Sequence, residues 1–322
     1  HYMLEEGEVT ELLKDDRVAD IQEPPENRDD IQIGIRATQT GTWRKTSSVI
    51  SSDLNWGMLR ATSREDVWGS GVVSSTRPFN YNLTGKGVDV VIQDSGIDTG
   101  HIEFTDANGV TRVKAIDWFS ASGVSGSQGA NHYRDYDGHG THVASTVAGR
   151  TMGWAKDAHI YAIKVSGLQG SGDDSAISTS NCFDIIKGWH NNKPIDPATG
   201  FKRPTIVNMS WGYSGTNTQT PTSGNFRGAN WTYGDSGFAS DNNLRDNAGI
   251  LTKIFTSGGN PVRKFNSRVT SVDTDIQELI DAGVHVCIAA GNSYYYIAAE
   301  NDNDWDNRVA VSYTHLTLPT KA

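Results

Sequence analysis

Short apolar runs that alternate with helical stretches dominate the sequence from Gly87 onward. They lie at residues 89–92, 113–118, 160–165, 206–209 and 284–290. Runs of this length, bounded by turn residues and separated by helices, indicate parallel strands that are covered on both faces. The sequence therefore predicts an α/β fold, a doubly wound, mostly parallel sheet with helices on both faces.

The segments around these runs differ in character. Residues 274–277 have the pattern of a capping box, and Gly283 is a helix stop, so a helix is expected before the last run. Residues 213–269 are rich in Gly, Asn, Ser and Thr and predict an insertion over the surface near the strand ends. Residues 5–21 predict a helix followed by a strand, and residues 22–85 are polar without a sustained period.

Charge and composition exclude several classes of partner. The net charge of −10 argues against a nucleic-acid-binding surface, which needs clustered Lys and Arg. No run reaches the roughly 20 apolar residues that span a bilayer, so no membrane partner is expected. Cys182 and Cys287 lie in apolar contexts without metal-ligand spacing, which predicts buried thiols. The sequence indicates neither a localisation nor an oligomeric state.

Two motifs carry the chemistry, Val91–Asp98 (VIQDSGID) and Asp137–Ser145 (DGHGTHVAS). Asp94 is expected at the carboxyl end of a buried strand, where open α/β sheets bind ligands, and His139 is expected at the start of a helix. A buried carboxylate that bonds a histidine fixes its tautomer and stabilises the imidazolium formed when the ring takes a proton from a serine. We therefore predict that Asp94 and His139 act together in nucleophilic catalysis.

With these motifs the chain resembles the subtilisin-like serine proteases from about Gly87 to Val309. The resemblance implies a serine endopeptidase whose partners are protein or peptide substrates. It implies that Asn292, within Ala289–Ser293, donates its side-chain amide to the tetrahedral intermediate. It also implies two substrate-binding segments: an edge strand with Gly170, Ser171 and Gly172 that pairs with the substrate backbone, and a pocket strand with Ser210, Trp211 and Gly212.

The resemblance also suggests a domain organisation. Residues 55–60 are similar to the entry segment of the family's mature domain, and residues 5–22 resemble the end of its inhibitory propeptide. We expect a propeptide-like remnant at 1–24, a linker or surface extension at 25–54, and the catalytic domain at 55–310 with its insertion at about 213–269.

The family's nucleophile lies in a Gly-Thr-Ser motif, and this sequence contains none. The tail at 311–322 is similar to the translation of a sequencing adapter and is expected to be non-native. We therefore expect a truncated catalytic domain, a sheet that is incomplete at its C-terminus, and a fragment that is inactive because the serine is missing.

Two alternatives to the protease remain. A noncatalytic module with a protease-like fold would bind peptides or build a larger particle. A metal site would use His and carboxylate ligands, although the chain lacks a His-Glu-x-x-His pattern; its ligands would be His132, Asp135, Asp137, His139 and His142. Family members often bind calcium through acidic loops, so calcium is possible as a cofactor. The residues that could serve as its ligands are Glu103, Asp106, Asp302, Asp304 and Asp306, but such loops are usually only solvated, and no calcium ligand is assigned. No other cofactor is expected.

Overall fold

The computed structural model describes the chain in segments. They are residues 4–15, 18, 21, 37–44, 53–62, 73–106, 108–167, 176–226, 229–246, 251, 253–266 and 269–289. These residues form two compact units, one up to Leu83 and one from Thr84 onward. Within these ranges, none of the helices combines the length and the apolar character that a membrane crossing requires.

The first unit begins with helix α1 (Glu6–Leu12). The backbone N–H of Glu5 donates to the Glu8 carboxylate at 2.9 Å, which satisfies one polar group at the helix start. The helix predicted within residues 5–21 is thereby confirmed. The strand predicted after it falls largely on residues outside the described ranges.

The first unit also contains an antiparallel pair of strands. Strand β1 (Ala37–Arg44) pairs along its whole length with β2 (Ser74–Tyr81), and helix α2 (Trp56–Thr62) lies between them in sequence. These elements share a small core that consists of Trp43, Leu54, Met58, Leu59 and Phe79. The described part of segment 25–54 is therefore more ordered than its polar composition indicates, because it contains β1 and the fully buried Trp43.

The second unit is built on a five-stranded parallel sheet. Its strands are β3 (Asp89–Asp94), β4 (Val113–Lys114), β5 (His159–Lys164), β6 (Thr205–Met209) and β12 (His285–Ile288). Their order is β12-β6-β3-β5-β4, and every pairing is parallel. The predicted α/β fold with a doubly wound parallel sheet is confirmed.

Helices cover both faces of this sheet. They are α3 (Trp118–Ser122), α4 (His139–Ala148), α5 (Thr179–Asn192) and α7 (Thr270–Asp281). Ile92 shares one core cluster with Ala144 of α4, whereas Val91 shares the opposite cluster with Ile185 of α5 and Leu279 of α7. Because consecutive residues of β3 point to opposite faces, this strand is buried at all six positions.

The strand predicted at Val113–Trp118 is too long. Only Val113 and Lys114 pair with β5, and Trp118 begins helix α3. The Asp117 carboxylate accepts the backbone N–H of Ser120 at 3.1 Å and so caps this helix. The apolar residues that suggested a continuing strand therefore belong partly to a helix.

The helix predicted near Thr274 starts earlier, at Thr270. The Thr274 hydroxyl donates to the Thr270 carbonyl at 3.1 Å, so it bonds inside the helix and does not cap it. The predicted capping box is wrong, but the stop is correct: Gly283 has a φ of +89° and donates to the Ile280 carbonyl.

The Gly- and Asn-rich stretch at 213–269 contains short antiparallel strands that the sequence did not reveal. They are β7 (Ser214–Asn217), β8 (Ser223–Phe226), β9 (Ala229–Thr232), β10 (Lys253–Ser257) and β11 (Asn260–Asn266), with helix α6 (Asp241–Asp246) between β9 and β10. Trp231, Leu244 and Leu251 form a separate core cluster for this stretch. The Arg263 guanidinium donates hydrogen bonds to the Asp241 carboxylate at 2.8 Å and to the Thr218 carbonyl at 2.9 Å.

The two cysteines are free thiols, as predicted. Cys182 is fully buried on α5, and Cys287 is half-buried on β12. Burial raises the pKa of the Cys182 thiol to about 12.

The sheet core generates a stability prediction. Ile163 of β5 is fully buried, so Ile163→Ala is expected to lower the free energy of unfolding by about 2–5 kcal/mol in urea denaturation followed by circular dichroism. Ile280 is 38% exposed, and Ile280→Ala is expected to change it by no more than about 0.5 kcal/mol. Equal effects of the two substitutions would contradict the assignment of Ile163 to the core.

Candidate active site

Asp94 and His139 come together at the carboxyl edge of the parallel sheet. Asp94 is the last residue of the central strand β3, and His139 is the first residue of α4. Gly138 precedes the helix with a φ of +91°, a conformation that glycine adopts without strain. The strand end and the helix start thus lie side by side, in the crevice where open α/β sheets bind ligands.

The two side chains are hydrogen-bonded. Nδ1 of His139 lies 2.7 Å from Oδ1 of Asp94. An ionised carboxylate can only accept, so Nδ1 carries the proton and Nε2 is the basic nitrogen of the neutral ring. The Asp94 side chain is only 3% exposed, whereas half of the His139 side chain is exposed. The ring is therefore held on its buried side and is accessible on the other.

The surroundings of His139 favour its protonated form. The hydrogen bond to Asp94 raises the pKa of His139, and it outweighs partial burial, which acts in the opposite direction. The negative charges of Asp137 and Asp135 add to this increase. The arrangement can accept a proton from a group on its exposed side and stabilise the imidazolium that results.

Gly140 allows the close packing that the pair requires. A Cβ atom at this position would lie 2.1 Å from the carbonyl oxygen of Gly96, which follows the β3 strand. The backbone N–H of Gly140 also donates to the Ser95 hydroxyl at 2.8 Å. Only glycine fits this approach between the first turn of α4 and the end of β3.

The predicted pocket segment at the end of β6 lies beside the strand that carries Asp94. The indole Nε1–H of Trp211 donates to the Gln93 carbonyl at 2.9 Å. Ser210 donates to the Asn208 side-chain oxygen at 2.9 Å, and Gly212 is exposed. Tyr213 packs edge-on against Trp211, with ring centroids 5.5 Å apart.

Four predicted site residues lie outside the described ranges. They are Gly170, Ser171, Gly172 and Asn292. Their assignments therefore stay predictions.

Two polar residues at the site were not assigned a catalytic role from the sequence. Ser95 follows Asp94, and Asp135 lies in the loop before α4, where its carboxylate accepts backbone N–H groups of that loop. An Asp shortly before a helix start is a known capping signal, which would have drawn attention to Asp135. The sequence suggested for it only the role of a metal ligand, and the described part of the chain holds no group of three or more His, Cys, Asp or Glu placed to bind a metal.

Comparison with known proteins shows that most of the chain matches a recognised family. The model of the subtilase family matches residues 85–315, which include Asp94 and His139. The chain is 33% identical over 160 residues to Subtilisin-like protease 5 of Arthroderma otae, covering 49% of this chain and 33% of that protein. It is 33% identical over 159 residues to Proteinase T of Parengyodontium album, covering 48% and 47%. The chain thus spans a third to a half of the length of these relatives.

The solved structure of a cold adapted subtilisin-like serine proteinase is also similar to this chain. The sequence identity is 23%, the TM-score is 0.34, and the match covers 66% of this chain and 50% of that chain.

The Asp94–His139 hydrogen bond can be tested by titration of the histidine. Asp94→Asn removes the carboxylate charge, so the pKa of His139 is expected to fall toward its ordinary value of about 6.5, measured by NMR of the ring protons. Asp98→Asn is the matched control, because the exposed Asp98 carboxylate accepts the N–H of Gly100. An unchanged His139 pKa in Asp94→Asn would show that the bond is not formed in solution.

The same interaction predicts a pH dependence of stability. Because the folded-state pKa of His139 is raised, its pairing with Asp94 contributes fully below the unfolded-state value of about 6.5. This contribution is lost as the pH rises through the folded-state pKa. The difference in stability between the protein and Asp94→Asn should therefore shrink over that range, as measured by urea denaturation at a series of pH values.

Proposed function

Because the chain belongs to the subtilase family, we propose that the complete protein is a serine endopeptidase that hydrolyses peptide bonds. The observation that carries this proposal is the 2.7 Å hydrogen bond between Asp94 and His139 at the carboxyl edge of the sheet. The pair lies within the family match, and its histidine is accessible on the side away from the carboxylate. Protein and peptide chains are the substrates that the family implies.

In the proposed mechanism His139 is the general base and then the general acid. Nε2 accepts the hydroxyl proton of a serine while the serine oxygen bonds to the scissile carbonyl carbon, and it then gives this proton to the leaving amine. Water attacks the resulting acyl ester in the second half of the reaction, with His139 again accepting and returning a proton. Asp94 orients the ring and stabilises the imidazolium throughout.

Other roles follow from the family resemblance. Asn292 would stabilise the oxyanion through its side-chain amide. Gly170, Ser171 and Gly172 would pair with the substrate backbone, and Ser210, Trp211 and Gly212 would line the pocket for the residue before the scissile bond. Trp211 is held beside the catalytic strand by its bond to Gln93, which is consistent with such a lining.

The nucleophilic serine is the missing part of this proposal, because the 322 residues contain no Gly-Thr-Ser. We therefore expect the 322-residue chain to be inactive toward peptides. The proposal therefore requires a nucleophilic serine in the complete protein that these residues do not include. The alternative, a noncatalytic module with a protease-like fold, requires a continuation that lacks this serine.

The test is to recover the gene past the codon for Ala310 and to treat the extended product with a fluorophosphonate probe. The extended protein should be labelled on a serine, and the 322-residue chain should not. His139→Gln in the extended protein should abolish labelling, while His101→Gln, a change at an exposed histidine, should leave it intact. A folded extended protein that neither labels nor cleaves peptides would leave the noncatalytic module as the function.

The oxyanion assignment gives a second prediction for the extended protein. Asn292→Ala should lower kcat by about 10²–10³ with little change in KM, a magnitude established for the equivalent donor of subtilisin, a member of this same family. The reason is that the amide bonds the oxyanion of the transition state more strongly than the carbonyl of the substrate. Steady-state kinetics on a peptide substrate measure both constants. A raised KM with unchanged kcat would indicate a substrate-binding role.

A further inference from the structure

The Asp135 carboxylate lies at the centre of a hydrogen-bond cluster in front of α4. Its Oδ1 accepts the backbone N–H groups of Asp137 at 3.0 Å and Gly138 at 2.8 Å, and the Ser95 hydroxyl at 2.9 Å. Its Oδ2 accepts both the N–H and the hydroxyl of Thr141, at 2.9 and 2.6 Å. Five donors from two separate segments of the chain therefore converge on one side chain.

Ser95 extends this cluster to the end of strand β3, which carries Asp94. Its hydroxyl donates to Asp135 and accepts the backbone N–H of Gly140 at 2.8 Å. Its own backbone N–H donates to Oδ1 of Asp94 at 2.7 Å, the same oxygen that His139 contacts. The cluster thus includes Ser95, the residue after Asp94. It also accepts the backbone N–H groups of Gly138 and Gly140, the two neighbours of His139.

We propose that Asp135 is a positioning residue, which fixes the end of β3 and the start of α4 relative to each other so that Asp94 and His139 meet. The importance of this role for catalysis rests on the proposed function, in which the pair transfers protons. The contacts of Asp135, Ser95 and Thr141 that support the juxtaposition itself do not depend on that function.

The electrostatics of Asp135 suit this role. Burial opposes its ionisation, but the donors from Thr141, Gly138 and Asp137 outweigh burial and lower the pKa of Asp135. The carboxylate therefore stays charged at neutral pH. A negative charge before the first turn of α4 is also favourable for the partial positive charge of the helix N-terminus.

A simpler explanation is that Asp135 acts on His139 only through its charge. Asp137 provides the control, because its negative charge acts on His139 more strongly than that of Asp135 does. The Asp137 side chain is exposed, and only its backbone N–H belongs to the cluster. If charge alone mattered, Asp137→Asn would lower the pKa of His139 more than Asp135→Asn.

Positioning predicts the reverse order. An asparagine at position 135 has one acceptor oxygen, so the donors on one side of the original carboxylate would face an NH₂ group. The alignment of β3 and α4 would be disturbed, and the Asp94–His139 bond would weaken. Asp135→Asn should therefore lower the pKa of His139 more than Asp137→Asn.

Ser95→Ala tests the same role without any change in charge. It removes the donor to Asp135 and the acceptor for Gly140, so it should also lower the pKa of His139. Ser145→Ala is its neutral control, because the Ser145 hydroxyl bonds locally to the His142 carbonyl within α4. Ser95→Ala also decides the question if Asp135→Asn fails to fold.

The experiment is an NMR titration of the histidines in the 322-residue chain, with the His139 signal assigned through His139→Gln and folding checked by circular dichroism. The proposal is supported if Asp135→Asn lowers the pKa of His139 more than Asp137→Asn does. It also requires that Ser95→Ala lowers this pKa and that Ser145→Ala leaves it unchanged. It is overturned if Asp137→Asn has the larger effect or if Ser95→Ala has none.

The titration also separates this proposal from the proposed function. If the pKa of His139 has its ordinary value in the unsubstituted chain and does not change in Asp94→Asn, the catalytic pair itself is absent and both proposals fail. If Asp94→Asn lowers the pKa of His139 while Asp135→Asn and Ser95→Ala do not, only the positioning role of Asp135 fails.

Discussion

Strand β3 is buried at all six of its positions, and both the sheet and the candidate site depend on it. It pairs with β5 on one side and β6 on the other, and helices cover both of its faces. A strand in this situation has no solvent-facing side for charged groups. Its two carboxylates are accordingly its first and last residues, Asp89 and Asp94, and they have very different surroundings.

Asp89 is fully buried and surrounded by basic side chains. Its oxygens lie 2.7 Å from the Lys193 ammonium, 3.1 Å from Nε of Arg203 and 3.0 Å from Nδ1 of His159. A buried carboxylate is costly unless it is paired, so these contacts fix the amino end of the strand. At the carboxyl end, Asp94 contacts one half-exposed histidine, and its second oxygen has no hydrogen-bond partner among the described residues. The amino end is therefore held by a closed ionic cluster, while the carboxyl end presents a proton-accepting ring to solvent.

The sequence predicted the parts of the fold in which burial dominates the choice of residues. The apolar runs of β3, β5 and β6 are correct because both faces of the sheet must be apolar. The strands of the insertion went unnoticed because their Gly, Asn and Ser residues carry little apolar periodicity, and they depend on a small separate core around Trp231. The start of α7 was misplaced because the same Thr and Asp residues serve both as caps and inside helices.

The site was predictable to the same extent: Asp94 and His139 lie in motifs whose spacing reflects a strand end and a helix start. The cluster around Asp135 was not, because its link to Ser95 spans 40 positions through a side-chain contact that only the folded chain creates.

The position of His139 sets two electrostatic effects against each other. As the first residue of α4 it lies at the positive end of the helix dipole, which disfavours the imidazolium. The hydrogen bond to Asp94 nevertheless raises its pKa, and the charges of Asp137 and Asp135 contribute in the same direction. The Asp135 carboxylate also accepts hydrogen bonds from the backbone N–H groups in front of the helix. The carboxylate that bonds the helix start therefore also opposes the effect of the helix dipole on the base, in the same direction as Asp94 and Asp137, whose contributions are larger.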